Sequence, residues 1–449
     1  MNCIFICIFH QEQYVNMFYL LLESLHISGN TNDILIYTST LFMNMIKQSH
    51  LYSENIHFEI NDTYDTIDKA CKARLDLFDL SIVKYKKILY LDTDILIKGN
   101  IHTVFDVIKD DIIYTLEEGT IDNSWDYWGK TLFGDEINNY KDTTAFTSGI
   151  LLFNHCDKIK ELFRIIKEDM DKRPHNFHDQ PYIVYNAFKY NLYNNKILKP
   201  FVVNNDNNIY SDKVIHHFPG SPGIYEHKID YMNKFLNDMK DFIICNNIYK
   251  TKQYINEHLL PIITRCGELL EGNIFMLHHT TTYTNVFLHK TKNICNIILN
   301  KNIKNVMEIG FNSGFSVLLM LLSNPTIKIT CFDLGEHSYT MPCYLKIKET
   351  FGDRLHLIIG DSTQTLRDVH ATYDVIHIDG GHSTDVARSD IIHSYRLSKQ
   401  GTILIMDDYD FDNLHTLWNH YITLYGLKKL DITTYDSPHH DIKYVQLKT

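Results

Sequence analysis

The stretch "KKILYLDTDILIKG", residues 86–99, runs from an apolar segment into two aspartates and straight back into another apolar segment. An unbroken apolar run is the mark of a strand buried on both faces, as in a parallel sheet. Strand alternation places Asp92 and Asp94 on one side, with Thr93 opposite. Two carboxylates so close repel each other, so the pattern needs either open water or a cation between them.

Working outward, the chain before this stretch offers a strand "CIFICIF", a helix "YVNMFYLLLESLHISG" closed by Gly29, and a strand "DILIYTS". After it come "SGILLFN" and "DQPYIVYNAF". Apolar strands alternating with helix-period segments predict an α/β domain over residues 1–240. Residues 241–302 read as a helical connector. A second α/β series then fills 303–449 with "NVMEIG", "IKITCFD", "LHLIIGD", "YDVIHID" and "GTILIMDD". Each of these runs ends in an acidic residue or glycine, where strand C-termini of open parallel sheets meet ligand.

The bulk numbers narrow the function classes. At 449 residues the chain has room for two or three cored domains. A net charge of -12 argues against a long nucleic-acid partner, which needs a basic face. Nine cysteines without a C-x-x-C pair read as reduced thiols in a cytoplasmic setting. The start "MNCIFICIFH" lacks a basic n-region, and no run approaches the roughly 18 apolar residues of a membrane span. Nothing in the sequence sets the oligomeric state.

Further segments supply partners for the aspartate pair. "KVIHHFPGSPG" offers His216 and His217, and imidazole is a suitable third ligand for Mn²⁺. "FTSGILLFN" puts a Ser148–Gly149 turn at a strand entrance, and "FHDQPYIVYNAF" puts Asp179 and Gln180 at a helix start, where Asp179 could equally be an N-cap. In this order the segments resemble family 8 glycosyltransferases, the group containing glycogenin, across residues 1–228. The resemblance implies a GT-A type Rossmann-like domain in which Asp92, Asp94 and His217 hold Mn²⁺ on the diphosphate of a UDP-sugar. His217 is preferred to His216 because it opens the H-x-x-G spacing with Gly220. It also implies that Tyr14 stacks on uracil, Arg74 reaches the diphosphate, and Ser148, Asp179 and Gln180 meet the donor sugar. Two positions depart from the family: Thr147 precedes the Ser-Gly where Asn is frequent, and Gly223 stands where a lysine is usual, leaving Lys228 as the nearest cation.

In the second series, "NVMEIGFNSGFSVLLMLL" is strand, glycine turn and helix, with Glu308 closing the strand and Gly310 and Gly314 allowing close approach of backbone to a ligand. The spacing lacks the middle glycine of the dinucleotide fingerprint. Asp333 ends the next strand, where a carboxylate can accept ribose hydroxyls, and Asp361 and Ser362 end the third. Asp379, Asp407 and Asp408 fall at the ends of two neighbouring strands, and three clustered acids favour a divalent cation such as Mg²⁺. The set resembles class I S-adenosylmethionine methyltransferases of the cation-dependent O-methylating kind. By that resemblance His382, three residues past Asp379, is the general base.

The leading expectation is therefore a bifunctional glycan-modifying enzyme. One domain makes a retaining, Mn²⁺-dependent transfer from a UDP-sugar to a glycan or glycosylated acceptor, and the other O-methylates a sugar hydroxyl using S-adenosylmethionine and Mg²⁺. The alternatives are two unlinked acceptors, one of them a small phenol, or one domain acting only as a glycan-binding module.

Overall fold

A computed structural model describes residues 1–49, 51–81, 84–220, 225–300, 302–430 and 434–446. Gly223 lies outside these residues. The chain divides into two compact units, Met1–Met239 and Lys240–Thr449.

The first unit is built on β1 (Asn2–Ile8), β2 (Asp33–Thr38), β3 (Ile56–Ile60), β4 (Lys87–Leu91), β5 (Ile95–Ile97), β6 (Ile113–Tyr114), β7 (Glu117–Thr120), β8 (Thr144–Phe146), β9 (Ile150–Asn154), β10 (Tyr193–Asn194), β11 (Val202–Asn204) and β12 (Ile215–His217). Its main sheet has the order β10-β6-β9-β4-β1-β2-β3. Within it β3, β2, β1 and β4 run parallel, and β9 lies antiparallel to β4 and β6. Alternation along the strands feeds two cores. Cys3, Phe5, Ile88, Tyr90, Leu151 and Phe153 pack on one face, and Ile4, Ile6, Leu89, Leu91, Ile150 and Leu152 on the other. Truncating any such buried Ile or Leu to Ala is a loss of about 2–5 kcal/mol.

The helix Glu12–Ile27 ends because Gly29 takes a left-handed φ of 72° and Asn30 N–H returns to Leu25 O at 2.9 Å. A second sheet, β11-β12-β5, pairs β12 antiparallel to β5. Asp92 to Asp94 therefore form the turn that carries the chain from β4 in one sheet to β5 in the other. The aspartates thus stand just past the C-terminal edge of β4, held by the change of sheet and not by strand alternation.

The second unit contains β13 (Asn305–Ile309), β14 (Lys328–Asp333), β15 (Leu355–Ile359), β16 (Tyr373–Ile378), β17 (Ser398–Asp407), β18 (Lys428–Lys429) and β19 (His440–Tyr444) in the order β15-β14-β13-β16-β17-β19-β18. The first five are parallel, and β19 is antiparallel to both neighbours. Strand order reverses between β13 and β16, the crevice where open α/β sheets bind ligand. Residues of the 241–302 segment, including Leu270, Ile274, Phe275, Met276, Ile294 and Ile298, join the same core as Val306, Ile329, Val375 and Ile405. The segment is thus part of this unit's interior rather than a connector outside it.

Candidate active sites

In the first unit, Asp92, Asp94 and His217 present ligand atoms that all lie within 4.8 Å of one another. Asp92 is fixed by its N–H to Gly149 O at 2.9 Å, and Asp94 by Phe218 N–H to its carbonyl at 2.9 Å. His217 Nδ1 sits 3.0 Å from Asn204 Oδ1, which turns Nε2 towards Asp94 at 3.6 Å. His216 faces away, its Nδ1 3.1 Å from Asp206 O. Gly149 is needed as glycine, since a Cβ there would lie 2.9 Å from Asp92 Oδ2 and 3.0 Å from the His217 ring. Space kept clear between three donors fits a divalent cation of the Mn²⁺ class.

Cations from other elements share the charge of the cluster. Lys228 Nζ is 2.7 Å from Asp94 Oδ2. Burial works against ionising Asp94, but the hydrogen bond and charge of His217, with Lys228, outweigh it and hold the carboxyl well below its usual range. Arg74 donates to Ser148 O at 2.5 Å, approaches Asp92 at 3.4 Å and pairs with Asp179 at 2.8 Å. Asp179 makes no side-chain cap of the helix Gln180–Lys189, so the N-cap alternative gives way to this ion pair. Burial raises the Asp179 carboxyl above its ordinary value despite Arg74. Gln180 Oε1 accepts from Ser148 N–H and Oγ–H at 3.3 and 3.2 Å.

Of the six residues singled out from the sequence beside the triad, five, Arg74, Ser148, Lys228, Asp179 and Gln180, join one group, whereas Tyr14 packs on the apolar core at the start of its helix. A cavity of about 320 Å³ opens beside Lys228, Phe218 and Gly220. Glu118 was not foreseen. Burial raises its carboxyl above the ordinary value, with His217, Thr147, Asp94 and Asn204 as its other influences. Nor was Asn204, whose contact with His217 joins residues 13 apart through two paired strands.

In the second unit Gly310 follows β13 with φ 95°, and a Cβ there would lie 1.8 Å from Asp379 O. Only glycine lets the β13 and β16 termini approach so closely. Asp333 Oδ2 accepts from Phe311 and Asn312 N–H, each at 2.8 Å, and Oδ1 from Gly335 N–H at 2.7 Å, which shapes the glycine loop. Gly314 opens the helix Phe315–Ser323 with φ 76°. Asp361 is exposed and caps the short helix Ser362–Thr365, accepting from Thr363 N–H at 2.8 Å. Ser362 lies beside the buried Asp390 and opposes the rise of that carboxyl.

The acids divide. Asp379 and Asp407 come together with His377, all ligand atoms within 4.8 Å. Asp408 leaves the strand with φ 50° and turns its carboxylate to His382 Nε2 at 2.7 Å. All three expected acids line one pocket with His382, but only Asp379 and Asp407 share the tight donor group, because successive residues at a strand end face opposite ways. Glu308, near the end of β13, is fully buried, with Oε1 2.8 Å from His377 Nδ1.

Lys290, on the helix Leu288–Ile298, places Nζ 2.7 Å from both Asp407 oxygens. Burial opposes the Asp407 charge, but Lys290 and His377 hold it far below the usual range. Burial works against charging His377, but its hydrogen bonds to Asp407 and Glu308 outweigh it and raise the imidazole to about 10. Burial and the adjacent Asp407 push Asp379 well above its ordinary value, the behaviour of a like-charge pair that a divalent cation would relieve. The donors at Asp379 and Asp407 therefore fit such an ion. A hydrogen bond to Asp408 raises His382. Lys290 carried a signal in the sequence: it repeats with Ile294 and Ile298 on the apolar face of its helix, where a lysine needs a buried partner.

Residues 25–193 match Glycosyl transferase family 8, and residues 307–409 match a methyltransferase domain. Among solved structures, the chain is similar to the galactosyltransferase LgtC in complex with donor and acceptor sugar analogs, at 16% identity and TM-score 0.37, covering 53% of this chain and 96% of that one. Mouse xyloside xylosyltransferase 1 aligns at 12% identity and TM-score 0.37, covering 49% and 98%. An SAH-bound methyltransferase from Podospora anserina aligns at 16% identity and TM-score 0.30, covering 36% and 79%. No helix among the described residues is long and apolar enough to cross a membrane. The chain is an enzyme that joins a family 8 glycosyltransferase domain to a methyltransferase domain.

Proposed function

We propose that the first unit transfers a sugar from a UDP-sugar with retention at the anomeric carbon, and that the second O-methylates a hydroxyl of a glycan from S-adenosylmethionine. What carries the reading is the placement, in each matched domain, of a paired-carboxylate and histidine cluster where neighbouring strands end. Asp92, Asp94 and His217 would hold Mn²⁺, and Asp379 and Asp407 Mg²⁺ with Asp408 in reach at the mouth. Such ions supply electrostatic stabilisation of a leaving diphosphate in one site and of an acceptor oxygen in the other.

The chain's own residues do the rest. Arg74 and Lys228 bring two positive charges to the diphosphate. Tyr14 stacks on the base. Ser148, Asp179 and Gln180 orient the donor sugar, Gln180 being held by Tyr127 O at 3.3 Å. No positioned nucleophile is invoked, so the acceptor attacks from the face the leaving phosphate occupies. In the second unit the Gly310–Gly314 loop takes the methionine portion, Asp333 the ribose, and Asp361 and Ser362 the adenine. His382, at the exposed mouth, accepts the acceptor's proton on Nδ1, while Asp408 holds the ring at Nε2.

The test is UDP release from a panel of UDP-sugars with Mn²⁺, with and without EDTA, followed by methyl transfer to the product. Asp94→Asn should lower UDP release by about 10²–10³-fold or more and leave methyl transfer intact. Asp379→Asn should do the reverse. Loss of both activities from one folded variant would overturn the two-site reading.

A further inference from the structure

We propose that Glu271, His278 and His279 form an imidazole-rich divalent-metal site, separate from both carboxylate clusters, that takes an ion of the Zn²⁺ class and pins the 267–284 strap of the second unit. Their ligand atoms all lie within 4.8 Å of one another. His278 Nδ1 is 2.6 Å from Glu271 Oε2, and the two imidazole rings are 3.6 Å apart at 33°.

Neighbouring side chains on an extended chain point to opposite sides, so two consecutive histidines do not ordinarily share a ligand. Here His279 adopts a left-handed φ of 61°, which swings its ring beside that of His278. That conformation is uncommon for a residue with a Cβ and persists only where the surroundings impose it. They do: His279 N–H bonds to Leu270 O at 2.8 Å, and Asn273 Oδ1 accepts from Phe275 and Met276 N–H, both at 2.9 Å. Met276 also bridges to Tyr283, and Leu270, Ile274, Phe275 and Met276 are buried beneath. The three donors thus stand on a locked turn with an apolar anchor.

The donor set decides the ion. Two imidazoles and one carboxylate suit Zn²⁺ and its borderline neighbours, whereas oxygen-rich clusters suit Mg²⁺ and Mn²⁺. Tetrahedral ligands about 2.1 Å from zinc lie roughly 3.4 Å apart, so rotations of these side chains close the gap. Three protein ligands leave one position to water, and the exposure of both histidines gives the ion an entry path.

The strap bears on the glycine loop. Glu271 N–H donates to Tyr339 Oη at 3.2 Å, Tyr339 donates to Asn312 Oδ1 at 2.9 Å, and Asn312 Nδ2–H donates to Gly272 O at 3.2 Å. Glu268 adds bonds to Ser338 N–H at 2.7 Å and His337 Nδ1 at 2.6 Å. Ion binding at the strap would therefore stiffen the loop assigned to the cofactor; that consequence rests on the methyltransferase reading, whereas metal binding itself does not.

The experiment titrates the full chain, stripped of metal, with Co²⁺ as a spectroscopic probe in a large excess of Mg²⁺, and reads equivalents bound and their displacement by Zn²⁺. The variants are His278→Ala, and His279→Asn, because asparagine tolerates the left-handed backbone. Each should bind one equivalent of Co²⁺ fewer than the parent, or bind it on the order of 100-fold more weakly, with an unchanged far-ultraviolet spectrum. Equal stoichiometry and affinity in parent and variants would overturn the site. Loss in His278→Ala alone would overturn the three-ligand assignment.

Discussion

The two acid clusters are the same device built with opposite degrees of closure. Around Asp92 and Asp94 the compensating charges arrive on Arg74 and Lys228, beside an open cavity, and Asp92 remains about a third exposed. Around Asp407 they are sealed in: Lys290 is 6% exposed, Asp407 1% and His377 0%. Charges at an opening are free to exchange partners when ligand enters. Charges without water cannot, because each must keep its counterion. The first cluster is thus equipped for a charged ligand that comes and goes. In the second, Lys290, His377 and Glu308 fix Asp407 from behind as a stationary donor, and exchange of partners is left to Asp379, Asp408 and His382 at the mouth.

The hardest test of that contrast is a pair of matched variants. Lys290→Met should strip a buried carboxylate of its partner and destabilise the second unit by about 3–5 kcal/mol, read by chemical denaturation. Lys228→Met removes a charge beside the cavity and leaves Asp94 with His217 as a second partner, so it should be milder, while weakening donor binding. Equal losses from the two would erase the distinction.

Much of this plan is legible in the sequence, and the reasons for the exceptions are physical. Strand-end acids and the glycine loop are legible as local motifs, although Gly310 makes room for Asp379 O and Asp333 accepts from the distant Phe311 and Asn312 N–H. The partners of those acids are not local. Lys290 meets Asp407 across 117 residues, and no spacing rule encodes that distance. Asp92 and Asp94 are legible as acids at a strand's C-terminal edge, but the change of sheet that follows, from β4 to β5, is set by the distant pairing with β12. Asp407 and Asp408 were grouped although alternation sends adjacent residues apart. Glu308 reads from the sequence as closing its strand beside a ligand; it lies before Ile309 near the end of β13 and finds His377 in the neighbouring strand.

A smaller effect separates two buried carboxyls. Asp179 has Arg74 as its partner, whereas burial alone dominates at Asp390, which is raised from 3.8 to about 6 with only Ser362 opposing. A folded-state value above the unfolded one means the native protein binds the extra proton. Stability from this group is therefore full below about pH 4 and is lost as pH rises through 6. The ionised form costs up to about 3 kcal/mol at neutral pH. Asp390→Asn should flatten the decline between pH 4 and 6 in denaturant midpoints. An unchanged slope would mean that Asp390 is already hydrated or paired in solution.

The smallest effect concerns the helix that follows each site. In the second unit, Ser383 Oγ accepts from Val386 N–H at 3.4 Å and caps the helix Thr384–Arg396 one residue after His382. In the first, the N-cap position of Gln180–Lys189 is Asp179, whose carboxylate is committed to Arg74. Ser383→Ala should therefore cost about 1 kcal/mol through an uncapped helix end, seen as a lower midpoint with methyl transfer largely retained. Asp179→Asn should leave its helix no less stable than the pairing alone dictates and act mainly on sugar transfer. If Ser383→Ala instead abolished methyl transfer at unchanged stability, the serine would be holding His382 in register rather than capping a helix. The closed and open halves of the second site would then be mechanically one.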